Sequence, residues 1–274
     1  MVTWLVNRAQ QTYELAKVIQ QTQNTSAPRP VVCILHGNDD ECHDKFVQRI
    51  VEYQLQRLIP STALGVPQHF LLDLPARGYK SAAELHDFLR ADLGANGLAN
   101  MTATTADISA RFAMLRAPVV IQTLMRAEGW SSAAHQTVAD YLGFWAQWPA
   151  LAPQQWIIVF LCIRAQPKAK GLFGLFGRKE QDTDLGRALA GFATVQSSGA
   201  QPPAGAPIIC ALLPQLEPIS QEDAERWAAD PKVQQVFAGR DLVSEVGRIY
   251  STQRERAIPM AALHQMLVAT LGTA

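Results

Sequence analysis

The chain has 274 residues, 48% of them hydrophobic and 18% charged, with a formal net charge of +0. That is enough chain for one large α/β domain with a helical appendage, or for two modest domains. A neutral total removes the broad basic field expected of a general nucleic-acid binder, leaving only a local basic patch as a route to such binding. Of the four cysteines, Cys33, Cys162 and Cys210 sit in or beside apolar runs, and no C-x-x-C spacing offers a zinc or redox pair. A reduced, cytoplasmic chain is the expectation. No apolar stretch approaches the roughly 20 residues that span a bilayer, and the first residues have no secretory apolar segment.

In chain order, residues 3–24 have helical periodicity, with Leu5, Ala9, Tyr13, Leu15, Val18 and Ile19 forming most of one face. A Pro-rich break leads to a β-branched run, Val31 to Leu35, and a turn at Gly37. Asp44 to Ile59 is helical, with Phe46, Ile50, Tyr53 and Leu58 at helical spacing. Strands are expected at Phe70–Leu74, Val119–Leu124, Trp156–Ile163 and Pro207–Leu213. Helices are expected at Ser81–Leu93, Asp107–Leu115 and Ser131–Trp148; Ser81 and Glu84 have the spacing of a capping box. Continuous apolar strands alternating with helices predict a five-stranded parallel sheet covered on both faces. From residue 219 onward every signal is helical. The domain organisation is then an N-terminal amphipathic helix (1–27), an α/β core (28–218) and a small C-terminal helical lid (219–274).

Two segments interrupt this order. Residues 196–206 are a polar Gly/Pro-rich loop. Residues 168–180 place Leu172, Phe173, Leu175 and Phe176 among glycines, flanked by Lys168, Lys170, Arg178 and Lys179. The segment is either an interaction loop that touches a partner or a membrane surface, or a loop folded back over the core. It is too short and Gly-rich to hold an amphipathic helix alone.

The stretch VVCILHGNDDECHDKFVQRI, Val31 to Ile50, holds the most chemistry. Strand, glycine turn and long helix form the setting of a P-loop, G-x-x-x-x-G-K-[ST], whose glycines let backbone N–H groups wrap phosphates. Gly37 stands at the first glycine; Cys42, His43 and Asp44 replace the second glycine, the lysine and the hydroxyl residue. A β-carbon at Cys42 penalises left-handed dihedrals, and His43 is shorter than lysine and mostly neutral near pH 7. Asp39, Asp40, Glu41 and Asp44 add negative charge. Each contact at about 4 Å would repel a unit negative charge by roughly 4 kcal/mol at an effective dielectric of about 20. Nucleotide binding is therefore not expected at Gly37, Cys42, His43 and Asp44.

The same turn has residue types for other chemistries. His36, Asp39, Glu41 and His43 are candidate metal ligands, but acids at a helix start also stabilise its positive end or cap it; no metal is expected. Cys42 beside His43, or His36 across the turn, could form a nucleophile–base pair, yet adjacent side chains diverge and the surrounding acids raise a thiol pKa. No carboxylate closes the third strand, where Gln122 and Thr123 stand, so a metal-binding Walker B acid is missing. Asp73 lies on too early a strand and Glu128 comes too late. Arg164, at the end of the fourth strand, mimics a sensor position or is a strand-end surface charge. The residues His36, Asp39, Asp40 and Glu41 form a candidate recognition turn.

The segment from the apolar strand through ECHD, the strand WIIVFLCIR and the segment LLPQLEPISQEDAERWAAD together resemble the inactive STAND domain. That family is a degenerate branch of the signal-transduction ATPases with numerous domains, related to AAA+ proteins. Leu213, Leu216, Pro218, Ser220, Asp223 and Ala224 fit the Leu/Pro-rich turn and acidic helix start that follow the last core strand in such proteins; Ser220 with Asp223 also suits an N-cap and its N3 acid. The resemblance covers roughly residues 28–250. It implies a P-loop NTPase-like (AAA+/STAND) fold and a non-catalytic module of bacterial conflict or signalling systems. It further implies protein partners of the effector or adaptor kind; no cofactor is expected, and the neutral charge gives no support to nucleic-acid binding. The alternative is an atypical nucleotide switch that binds through backbone amides without hydrolysis.

Overall fold

The computed structural model describes residues 8–23, 28–59, 65–74, 79–127, 132–165, 208–237, 239–253 and 256–271. The interaction-loop residues Leu172, Phe173, Leu175 and Phe176 lie outside them, as do Glu128 and the loop 196–206.

Five strands form one parallel sheet: β1 (Val31–Asn38), β2 (Gln68–Asp73), β3 (Val119–Ala127), β4 (Ile157–Ala165) and β5 (Ile209–Leu212), in the order β2-β3-β4-β1-β5. The register sets Val31 beside Ile158 and Ile209, and Val119 beside Ile157. β1, β3 and β4 read as continuous apolar runs because both faces are buried, whereas the edge strand β2 is largely exposed, with only Leu72 fully buried, so the sheet is not covered on both faces there. The period of two splits the residues of β1, β3 and β4 between two cores. Val32, Ile34, Ile121, Val159 and Leu161 face one core; Val31, Cys33, Leu35, Val120, Ile158 and Phe160 face the other.

The first core is covered by α4 (Ala82–Leu98), α5 (Thr105–Met114) and α6 (Ser132–Ala146). Trp145 and Trp148 pack together within it, their ring centroids 4.9 Å apart and their planes tilted by 33°. Aromatic groups of this size dominate the apolar area removed from water. Thr104 caps α5 with a complete capping box to Asp107. At α4 only half of the expected box forms. The Ser81 hydroxyl accepts from the Glu84 amide, but the Glu84 carboxylate accepts from the Lys80 amide, one residue before the cap.

The second core is covered by α1 (Ala9–Gln23) and by the long helix after β1. That helix is α2 (His43–Arg49), a π-helical turn (Ile50–Gln54) and α3 (Leu55–Leu58). The extra residue of a π turn rotates the following face. Phe46 and Ile50 are buried as their spacing predicts, but Tyr53 is exposed. On α1 the buried face is Gln11, Leu15, Val18, Ile19 and Thr22. Ala9 and Tyr13, expected on that face, point to solvent, and Lys17 lies over the Tyr13 ring.

After β5 the chain builds a third core from α7 (Gln221–Ala228), α8 (Pro231–Val236), α9 (Leu242–Ser251) and α10 (Met260–Leu271). Ser220 caps α7 by accepting from the Asp223 amide at 3.1 Å. This region is not purely helical: β6 (Ile219–Ser220) and β7 (Ala257–Ile258) pair antiparallel and tie its start to its end. No helix among the described residues is long and apolar enough to cross a membrane.

Candidate functional site

Strand order locates the site before any side chain is considered. From β1 the chain crosses to the far edge at β2, returns through β3 and β4, and then passes β1 to reach β5. In open α/β sheets ligands bind beyond the carboxyl ends of the strands where the order reverses. Here that place is the turn after β1, residues 38–42.

Gly37 does not make the turn. It lies within β1, bridged to Leu216, and the Leu216 amide donates to the His36 carbonyl at 2.8 Å. A β-carbon on Gly37 would stand 2.7 Å from the Leu216 carbonyl oxygen. The glycine is required by this close approach of two chains. The turn itself is a short 3-10 segment, Asp39–Glu41, closed by Cys42 in a left-handed conformation (φ 54°, ψ 57°). Cys42 thus keeps a backbone shape that glycine adopts without strain, and no side chain caps α2.

The acidic side chains of the turn diverge. The Glu41 carboxylate turns inward and is fully buried, 2.9 Å from the Arg8 guanidinium. The same Glu41 oxygen lies 3.5 Å from the Met260 amide, at the first residue of α10. Asp39 and Asp44 reach instead to Arg164 at the end of β4, at 3.2 and 3.3 Å. Arg164 is therefore a clamp across the turn rather than a free surface charge. Asp40 is exposed and has no ion-pair partner among the described residues. Three of the four acids are thus ion-paired within the chain.

Arg8 also donates to the Glu217 and Glu41 carbonyls, and Gln11 to the Gln215 carbonyl at 2.8 Å. These contacts fasten α1 to the segment after β5. Arg8 has no local sequence signal: its partner is 33 residues away. Burial is the largest influence on the Glu41 carboxyl and raises its pKa, opposed by Arg8 and the Met260 amide.

Of the candidate recognition turn, His36 and Glu41 are buried and only Asp39 and Asp40 face solvent. His36, Asp39, Glu41 and His43 do not converge on one point, and no group of three or more His, Cys, Asp or Glu suited to a metal occurs among the described residues. Cys42 packs against the third core, and burial first, then Asp44 and Glu41, push its thiol up to about 12. A thiol so protonated is a poor nucleophile. Gln122 and Thr123 are buried structural groups of β3: Gln122 bonds His69 at 3.0 Å, and Thr123 bonds the Tyr141 hydroxyl at 2.7 Å.

His43, in the place of the lysine, is fully buried. Neither ring nitrogen makes a hydrogen bond of good geometry. Burial, then the charges of Arg164 and Arg8 and the neighbouring His36, lower its pKa to about 3. The native state therefore holds His43 neutral while the unfolded chain protonates it below pH 6.5. Its contribution is present above that pH and is lost as pH falls toward 3. In urea titrations, wild type should lose about 2 kcal/mol more than His43→Leu between pH 6.5 and pH 5. Equal losses would show that His43 does not carry this acid sensitivity.

Together these features define a P-loop-type α/β domain, AAA+-like, whose turn after β1 is held by ion pairs to Arg8 and Arg164. A family model described as inactive STAND matches residues 4–163, more than half of the chain, and the chain belongs to that family. No curated protein matches it. Among solved structures it is similar to the Aeropyrum pernix ORC1 protein in complex with DNA (12% identity, TM-score 0.34, 97% of this chain and 66% of that one). It is similar also to the ORC2 protein of the same organism in its ADPNP–ADP complexes (11%, TM-score 0.39, 98% and 69%). A third similar structure is Drosophila ORC bound to DNA (12%, TM-score 0.33, 98% and 62%). The chain spans about two thirds of the length of these proteins. Likeness at this level says nothing of their ligands here.

Proposed function

We propose that this protein is a non-catalytic protein-interaction or sensor module of a bacterial conflict, defence or signalling system, cytoplasmic and independent of nucleotide. One observation supports the reading: in the turn at the P-loop position the Glu41 carboxylate is buried, with Arg8 on one side and the start of α10 on the other. The working surface is then elsewhere on the domain, and its partner is an effector or adaptor protein.

The left-handed backbone at Cys42 favours the second reading, a switch that binds nucleotide through backbone amides without hydrolysis. Thermal unfolding with magnesium and ATP, ADP or GTP decides between them. A ligand at 100 times its Kd adds about 2.7 kcal/mol, a displacement of several degrees for a chain of this size. No displacement is expected with any of the three. A saturable rise with ATP would replace the first reading by the second. DNA binding is tested separately by fluorescence anisotropy across a salt series; a salt-dependent rise at low salt would contradict the protein-partner reading.

A further inference from the structure

Glu41 sits in an anion site built by other parts of the chain. The guanidinium of Arg8, from the segment before α1, supplies one side. The Met260 amide, at the N-terminus of the 12-residue helix α10, supplies the other. A helix start favours negative charge through its free amides and dipole. The carboxylate is fully buried and Arg8 is only 7% exposed, so the charge is held out of water by the fold. One Glu41 oxygen receives both donors, while the other has no hydrogen-bond partner among the described residues.

We propose that Arg8 and the start of α10 form a latent small-oxyanion site, for which Glu41 is the resident, covalently attached ligand. The inference rests on the reading that nucleotide is absent from this place, and it adds what the place accepts. With the carboxylate removed, the cavity takes a free carboxylate of matching size, such as acetate. Glu41→Ala leaves room for it: the side-chain atoms lost are close to those of acetate. No covalent step is involved, because the donors stay in place and only the tether is cut.

The test compares Glu41→Ala in sodium acetate and in sodium chloride at equal ionic strength, by thermal unfolding. Acetate should raise the melting temperature saturably, by about 3 °C or more at tenfold over half-saturation, beyond any effect of chloride. Arg8→Met/Glu41→Ala should lose that difference. Wild type, its site filled, should show no such difference either. If Glu41→Ala does not stay folded, refolded soluble yield is read in its place and should be higher in acetate. Equal behaviour in the two salts overturns the latent site. So does an acetate effect that survives loss of Arg8. The outcome is separate from the nucleotide experiment: ATP binding by wild type would sink the functional reading, whereas failed acetate rescue with no ATP binding sinks only this one.

Discussion

Arg8→Met is expected to cost about 3–5 kcal/mol, because it leaves the Glu41 carboxylate buried without its counter-charge. Arg8 is 7% exposed and Glu41 fully enclosed, so solvent screens the pair little. The arginine also serves the Glu217 and Glu41 carbonyls, and methionine gives those bonds up. The control is the double variant Arg8→Met/Glu41→Met. Removing both charges together removes the desolvation cost along with the attraction, and such replacements are often neutral or stabilising. Urea denaturation should therefore show the double variant more stable than Arg8→Met by at least about 2 kcal/mol. If the two variants are equally unstable, packing around Arg8, not the ion pair, holds this corner of the fold.

The second large effect is expected at Gly37. Its would-be β-carbon stands 2.7 Å from the Leu216 carbonyl oxygen and 3.0 Å from the Leu216 β-carbon. Both neighbours belong to a chain segment anchored by the Leu213 and Leu216 amides on β1, so neither can swing away as a flexible side-chain end would. Gly37→Ala should cost about 2–3 kcal/mol, and Gly37→Val more, as overpacking forces β1 and the segment after β5 apart. The measurement is again urea denaturation, with amide exchange at Leu213 and Leu216 as a local readout; unchanged protection there would show that the strands absorb the extra carbon. A loss of nucleotide response in a Gly37 variant would accordingly report this packing and not a phosphate contact.

The sheet was legible because its strands are apolar runs of β-branched residues, and the register follows once they lie parallel. Val31, Val119 and Ile157 begin their strands within a residue of where the sequence places them. The end of β1 was misread at Gly37, since glycine signals a turn locally while its partner Leu216 is distant. The same limit hid the site. Asp39, Glu41 and Asp44 look alike in sequence, as one block of repelling charge, but Arg164 and Arg8 draw them in different directions. Periodicity failed at Tyr53 and Tyr13 for separate reasons. A π turn shifted the first. The second joined the apolar face only because an aromatic ring was counted as buried, and it is served instead by Lys17 at the surface. The third core was read as helical throughout; two-residue strands such as β6 and β7 carry no period to detect.

The Glu41 carboxylate brings the two ends of the chain to one point, Arg8 from near the start and Met260 from the last described helix. The Pro-rich break before residue 28 looks like a natural place to divide the protein. A fragment begun there would carry Glu41 and α10 but not Arg8, and would expose the floor on which Leu15, Val18 and Ile19 rest. The same geometry makes the ends thermodynamic neighbours. Whatever draws Arg8 away leaves α10 facing an uncompensated buried charge, and whatever displaces α10 takes a donor from the ligand that Arg8 holds. Displacement of the segment before α1 is thereby expected to be felt at the start of α10, with a single side chain between them.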